Sequence, residues 1–185
     1  ILDPIEIIDQ YGLDPLRYYL IKEVSFGNDG NISQERLEDC INSDLANNFG
    51  NLCQRVTAFA IKNCESKIPN DIKFDKDDLK LLNKISLSLD KIRDKIDYQD
   101  INFYIDLIID VLFETNKYFN DQEPWKKKDN LIRLNTIVYT TLEIVRKVSY
   151  MLYPIIPQSS LNALKILNIK ENEIKFDTLD NNNYL

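Results

Sequence analysis

Residues 44–63, DLANNFGNLCQRVTAFAIKN, decide the fold. Leu45, Phe49, Leu52, Val56 and Phe59 recur at alternating steps of four and three, and Asn63 continues the series. At 100° per residue that spacing lays five apolar side chains along one helix face. Working outward, the same period returns three times. Leu79, Leu82, Ile85, Leu89, Ile92 and Ile96 predict a helix over about 77–96. Ile101, Ile105, Ile108, Leu112 and Phe119 predict one over about 99–119. Leu131, Leu134, Val138, Leu142, Val145, Val148 and Leu152 predict one over about 129–152, stopped by Pro154 and Pro157. A short helix over about 158–167 and a polar tail follow. Upstream, residues 1–32 read as compact and irregular. Asp14 as N-cap and Pro15 at the first helical position start a short helix to about Val24. Turn formers crowd residues 26–32, and Ser33 caps a helix to about Asn42. The expected fold is all-α, a helical bundle of four to five long helices. The turn cluster divides a connecting segment, 1–32, from the bundle, 33–185.

Composition narrows the chemistry. The chain has 185 residues, 30 acids and 23 bases, no histidine and a formal charge of -7. Without histidine there is no Ser–His–Asp or Cys–His pair, no imidazole proton shuttle and no histidine-ligated metal site. A di-iron bundle, which uses Glu-x-x-His, is excluded on the same ground. The four glycines are too scattered for a phosphate-binding loop. The acidic balance disfavours binding nucleic acid through a broad basic surface but leaves room for a small base-reading site. Cys40, Cys53 and Cys64 form no CxxC pair and read as reduced thiols of a cytoplasmic protein. No apolar run nears the ~20 residues that span a membrane, and no signal peptide opens the chain. Met151 is the sole methionine and does not open the chain, which is therefore expected to be a fragment of a longer protein; lacking histidine and a phosphate loop, it is expected to hold no metal or cofactor of its own.

Two constellations suit binding. On the helix 44–63, Asn48, Asn51, Arg55 and Lys62 share one edge of the apolar stripe. Asn51 and Arg55 are i,i+4 neighbours, so an amide and a guanidinium can converge on a flat, acceptor-rich group such as a base edge. The plain alternative is an ordinary polar flank. The second constellation is Gln122-Glu123-Pro124-Trp125-Lys126-Lys127-Lys128, which holds the single tryptophan between two long helices. Trp125 can stack on an unstacked base while Lys126, Lys127 and Lys128 face phosphates, or it can fold back as a core plug. The cluster Asp75, Asp77 and Asp78 sits at a predicted helix start and reads as capping.

Several segments together resemble the C-terminal part of the methionyl-tRNA synthetase family. They are Asp3-Pro4 with residues 8–20 (IDQYGLDPLRYYL), then residues 23–30 (EVSFGNDG), 42–47 (NSDLAN), Gly50-Asn51-Leu52 with Arg55, Pro124-Trp125 and residues 152–157 (LYPIIP). The resemblance covers nearly the whole chain in order. Gly50-Asn51-Leu52 with Arg55 is shared with other class I synthetases, whereas the set with the tryptophan loop is specific. The resemblance implies a helical domain that binds the tRNA anticodon CAU. The family's Asn and Arg four residues apart fall on Asn51 and Arg55, and its anticodon-stacking Pro-Trp falls on Pro124 and Trp125. Residues 1–32 resemble the connecting fold that touches the inside of the tRNA elbow, where Arg17 and Lys22 could meet backbone. The family's catalytic domain, with its HIGH and KMSKS motifs, and any zinc-binding insertion have no counterpart here. ATP with Mg and methionine would therefore bind in a catalytic domain outside this chain, which is the segment's expected partner besides tRNA. No dimerisation domain follows, so a monomer is expected. Two other readings stay open: the anticodon domain of another class I synthetase, and a helical adaptor for protein helices with Trp125 buried in its core.

Overall fold

The computed structural model describes residues 3–25, 27–30, 32–175, 179 and 185. Phe26 and Asn31 of the turn cluster, and most of the polar tail, lie outside the described residues. Helices α1 (Pro4–Tyr11), α2 (Leu13–Glu23), α3 (Gln34–Cys40) and α4 (Asn51–Asn63) are followed by α5 (Lys76–Asp97), α6 (Ile101–Gln122), α7 (Leu131–Leu152) and α8 (Pro157–Ile166). No strand occurs among the described residues, and the fold is the expected all-α bundle.

The long helices follow their apolar spacing. Asp75 and Asp78 exchange side-chain and backbone hydrogen bonds in a capping box that opens α5. Leu82, Ile85, Leu89 and Ile92 are buried, while Leu79 and Ile96 at the helix ends are exposed. Helix α7 is the hub. Every residue from Thr136 to Leu152 is buried, so a one-sided stripe understates its role. The charges on α7 survive burial by pairing: Arg146 donates to both carboxylate oxygens of Glu143, at 2.8 and 2.7 Å.

Three expectations change. Residues 4–11, expected to be irregular, form a helix; Asp3 caps α1 and Pro4 opens it, with α2 directly after. Asp14 does not cap its own helix. Its carboxylate accepts from the Ser159 N–H at 2.7 Å, capping α8 instead, because α2 already begins at Leu13. The helix expected to end near Asn42 also continues. Residues Ile41–Gly50 form a π-helical stretch joining α3 to α4 in one rod, with αR backbone at both junctions. The Asn51 N–H reaches the Ala46 carbonyl, five residues back. Asn42-Ser43-Asp44 reads as a cap in sequence, but Asp44 is buried and its carboxylate accepts from Tyr18 Oη at 2.8 Å, Ser43 Oγ at 2.9 Å and Lys22. A side chain so engaged is not available to break the helix.

Candidate nucleic-acid interface

The end of α6 carries the tryptophan loop, and it is anchored from below. Arg133 at the start of α7 donates to Asp78 Oδ2 at 2.6 Å and to Gln122 Oε1 at 2.7 Å. Gln122 donates in turn to Asp77 Oδ2 at 3.1 Å, and Tyr118 donates to Asp78. Burial alone would raise the Asp78 carboxyl. Hydrogen bonds from Arg133, the Asp75 N–H and Tyr118, with the guanidinium charge, hold it below the usual carboxylate range. The same burial, and the Asp78 carboxylate, push the Tyr118 hydroxyl far up. Three helix ends are thus tied beneath one loop.

The chain leaves α6 through Glu123, whose backbone is left-handed at φ 45° and ψ 59°. Pro124 is buried and opens a 3₁₀ turn, Pro124–Lys126. Its fixed φ sets the entry to Trp125. Trp125 is 41% exposed, so it is not a core plug. One edge packs on Phe119, with ring centroids 6.2 Å apart and planes at 65°. Phe119 is only 2% exposed and is also edge-packed by Phe59 at 6.0 Å. Lys126 pairs with Glu123 at 2.7 Å, whereas the side chains of Lys127 and Lys128 have no partner among the described residues.

Arg55 comes to the same ring from α4. Its guanidinium carbon lies 5.5 Å from the Phe119 centroid, and Nη2 donates to Asn120 Oδ1 at 2.5 Å. Arg55 therefore does more than flank a stripe. It stands at one end of an open groove of about 650 Å³ between the π stretch with α4 and the outer face of α6. Asn48 and Asn51 line one wall, and Phe113, Asn116 and Asn120 the other. Asn116 Nδ2 donates to Asn48 Oδ1 at 2.8 Å and to its carbonyl at 3.1 Å, fastening the walls together. The exposed Asn51 amide has no partner among the described residues.

The structure brings Asn51, Arg55, Pro124 and Trp125 into one neighbourhood, although Trp125 lies beyond the groove rather than lining it. Lys62 is exposed in the last turn of α4, two turns on from Arg55. Arg17 lies elsewhere: its guanidinium donates to the carbonyls of Ile155 and Pro154, both at 2.7 Å, at the α7–α8 corner. Lys22 is paired with Asp44. Phe119, the ring that joins the two predicted features, reads in sequence only as a core position. Among the described residues no group of three His, Cys, Asp or Glu side chains is set to hold a metal ion, and no helix is long and apolar enough to cross a membrane.

A family model described as class I (M) tRNA synthetases matches residues 1–57. Methionine–tRNA ligase of Brucella suis is 40% identical over 177 residues, 95% of this chain and 34% of that protein. The ligase of Mycobacterium leprae is 35% identical over 181 residues, again 95% of this chain and 34% of that protein. Among solved structures, the free-state methionyl-tRNA synthetase of Mycobacterium tuberculosis superimposes with a TM-score of 0.92 at 34% identity, covering 97% of this chain and 37% of that one. The same enzyme in complex with methionyl-adenylate gives 0.93. The chain spans about a third of the length of these relatives. Identity along nearly the whole chain, with the same helical fold, shows that it belongs to the methionyl-tRNA synthetase family.

Proposed function

We propose that this chain is the anticodon-recognition part of a methionine–tRNA ligase, with residues 1–32 as the connecting segment and residues 33–185 as the bundle that reads CAU. The observation that carries the proposal is the cluster of Arg55 and Trp125 on the Phe119 ring. A half-exposed indole held edge-on by a buried ring offers a rigid face for stacking one splayed base. Arg55 and Asn51 supply donors and an acceptor for the edge of the first anticodon base, cytosine. Lys127 and Lys128, with Lys62 on α4, suit phosphates. Activation of methionine by ATP and transfer to tRNA would be the work of the remaining two thirds of such a ligase. Here the domain's own part is to bind, orient and discriminate.

The single tryptophan gives the test. Titration with an RNA stem-loop carrying a CAU anticodon should quench its emission, and a loop with a changed first base should quench it much less. Unaltered emission at saturating CAU RNA would sink the assignment.

A further inference from the structure

The groove beside Arg55 is larger than one guanidinium contact requires, and the side chain at its centre has no role in the reading above. Phe113 is 63% exposed on α6 and lines this groove. It lies off the apolar stripe that buries Ile105, Ile108, Leu112 and Phe119. Phe113, Asn116 and Asn120 are spaced i, i+3 and i+7 on α6, so they share one face over about 10 Å of helix. Asn116 is fixed by Asn48 and Asn120 by Arg55, so this wall is held in place from the opposite helix. Across from it stand two exposed asparagines of the π stretch and α4, Asn47 and Asn51, with no partners among the described residues. An exposed ring facing free amides offers a stacking face together with donors and acceptors, the chemistry that takes an unstacked nucleobase.

We propose that Phe113 is the floor of a second base subsite, which holds an unstacked base of the same RNA strand next to the one stacked on Trp125. This rests on the RNA-binding reading above. Charge limits what can enter. Asp106 stands at the far end of the groove beside Asp110, which is paired with Lys84 at 2.8 Å, and Arg55 stands at the near end. The Asp106 carboxylate disfavours phosphates at the far end, so the strand's backbone stays on the side of Arg55 and the loop lysines while only a base turns into the groove. The subsite therefore takes a base and not a run of nucleotides.

The test compares Phe113→Ala and Phe113→Tyr with the unaltered chain, using the CAU stem-loop and a set of stem-loops made abasic at one loop position each. Phe113→Ala should weaken binding of the intact loop by about 5- to 150-fold. Phe113→Tyr should restore it. Quenching of Trp125 at saturation should persist in both variants, because the indole still stacks. One abasic RNA should bind the unaltered chain and Phe113→Ala equally, naming the base that uses the subsite. If the unaltered chain binds the CAU loop with quenching and Phe113→Ala binds it within twofold, the subsite is refuted and the primary reading stands. If the unaltered chain shows no quenching, the primary reading itself fails.

Discussion

Arg55 and Trp125 meet on one buried ring: the guanidinium stands 5.5 Å from the Phe119 centroid and the indole packs edge-on at 6.2 Å. Neither side chain contributes much to the core, since Trp125 is exposed and Arg55 is only half-buried. In a full-length ligase, Trp125→Ala should therefore lower tRNA charging by roughly 5- to 150-fold, the loss of one stacked base. Methionine-dependent exchange between ATP and pyrophosphate should continue. The comparison is between the two assays, and equal losses in both would make the residue structural.

Phe119 is expected to behave differently from either neighbour. Phe119→Ala removes a 2%-exposed ring and should cost about 3–5 kcal/mol of stability. Phe119→Leu fills much of the space without the quadrupole or the flat edge. It should fold, with a smaller loss in urea midpoint, yet bind the CAU loop several-fold less tightly because Arg55 and Trp125 lose their common support. Affinity unchanged in Phe119→Leu would show that the ring only fills volume.

The network under the loop predicts a pH dependence. Asp78 has a carboxyl held below its ordinary value in the folded chain, against about 3.9 unfolded. A group depressed in this way adds stability that is fully present above the unfolded value and is lost as pH falls through the folded one. The urea midpoint should fall as pH drops below about 5, and Asp78→Asn should flatten part of that fall. Asp78→Ala leaves Arg133 and Tyr118 without their shared acceptor, and a loss of about 3–5 kcal/mol at pH 7 is expected. A midpoint profile identical in the unaltered chain and Asp78→Asn would remove Asp78 from the network's energetics.

How far the chain could be read from its letters follows from which forces are local. Helices α5, α6 and α7 were legible because a strict apolar period has one economical solution, burial of that face. The Asn51–Arg55 pair and the tryptophan loop were legible because helix spacing and a Pro-Trp turn are local geometry. What escaped depends on contacts between distant segments. Asp14 caps α8, not α2, and nothing near residue 14 announces Ser159. Arg17 offers a free cation in sequence and is taken up by two carbonyls far along the chain. Phe119 reads as core because its second role needs both Arg55 and Trp125 beside it. The π stretch escaped because its wide turns are held by Tyr18 and Lys22 on Asp44, a pairing across α2 that no local propensity records.

The cysteines should report the packing. Burial pushes the Cys40 and Cys53 thiols up to about 12, and Cys64 is raised less while remaining half-buried. The thiolate is the reactive form, so iodoacetamide at pH 8 should label Cys64 first in the folded chain and all three in urea. Mass mapping that finds Cys53 labelled as fast as Cys64 would place the inner face of α4 in contact with solvent.

Gly50 tests the π stretch itself. In an ordinary helix interior, Gly→Ala raises stability by up to about 1 kcal/mol, since alanine restricts the unfolded chain and glycine does not. Gly50 has a helical backbone, so conformational freedom gives no reason to keep it. The reason is space. A Cβ at this position would sit 3.0 Å from the Leu45 carbonyl oxygen, five residues back, which the wide turn brings close. Backbone cannot swing aside as a flexible side chain would, and overpacking of this kind costs about 1–3 kcal/mol. The two effects oppose each other, and the contact wins: Gly50→Ala should lower the urea midpoint. Because Asn51 follows directly, the substitution should also weaken CAU binding, as the turn that sets the amide's direction relaxes. A rise in midpoint would mean that the stretch settles into an ordinary α-helix once glycine is removed, and that the wide turns are not required for packing against α2 and α6.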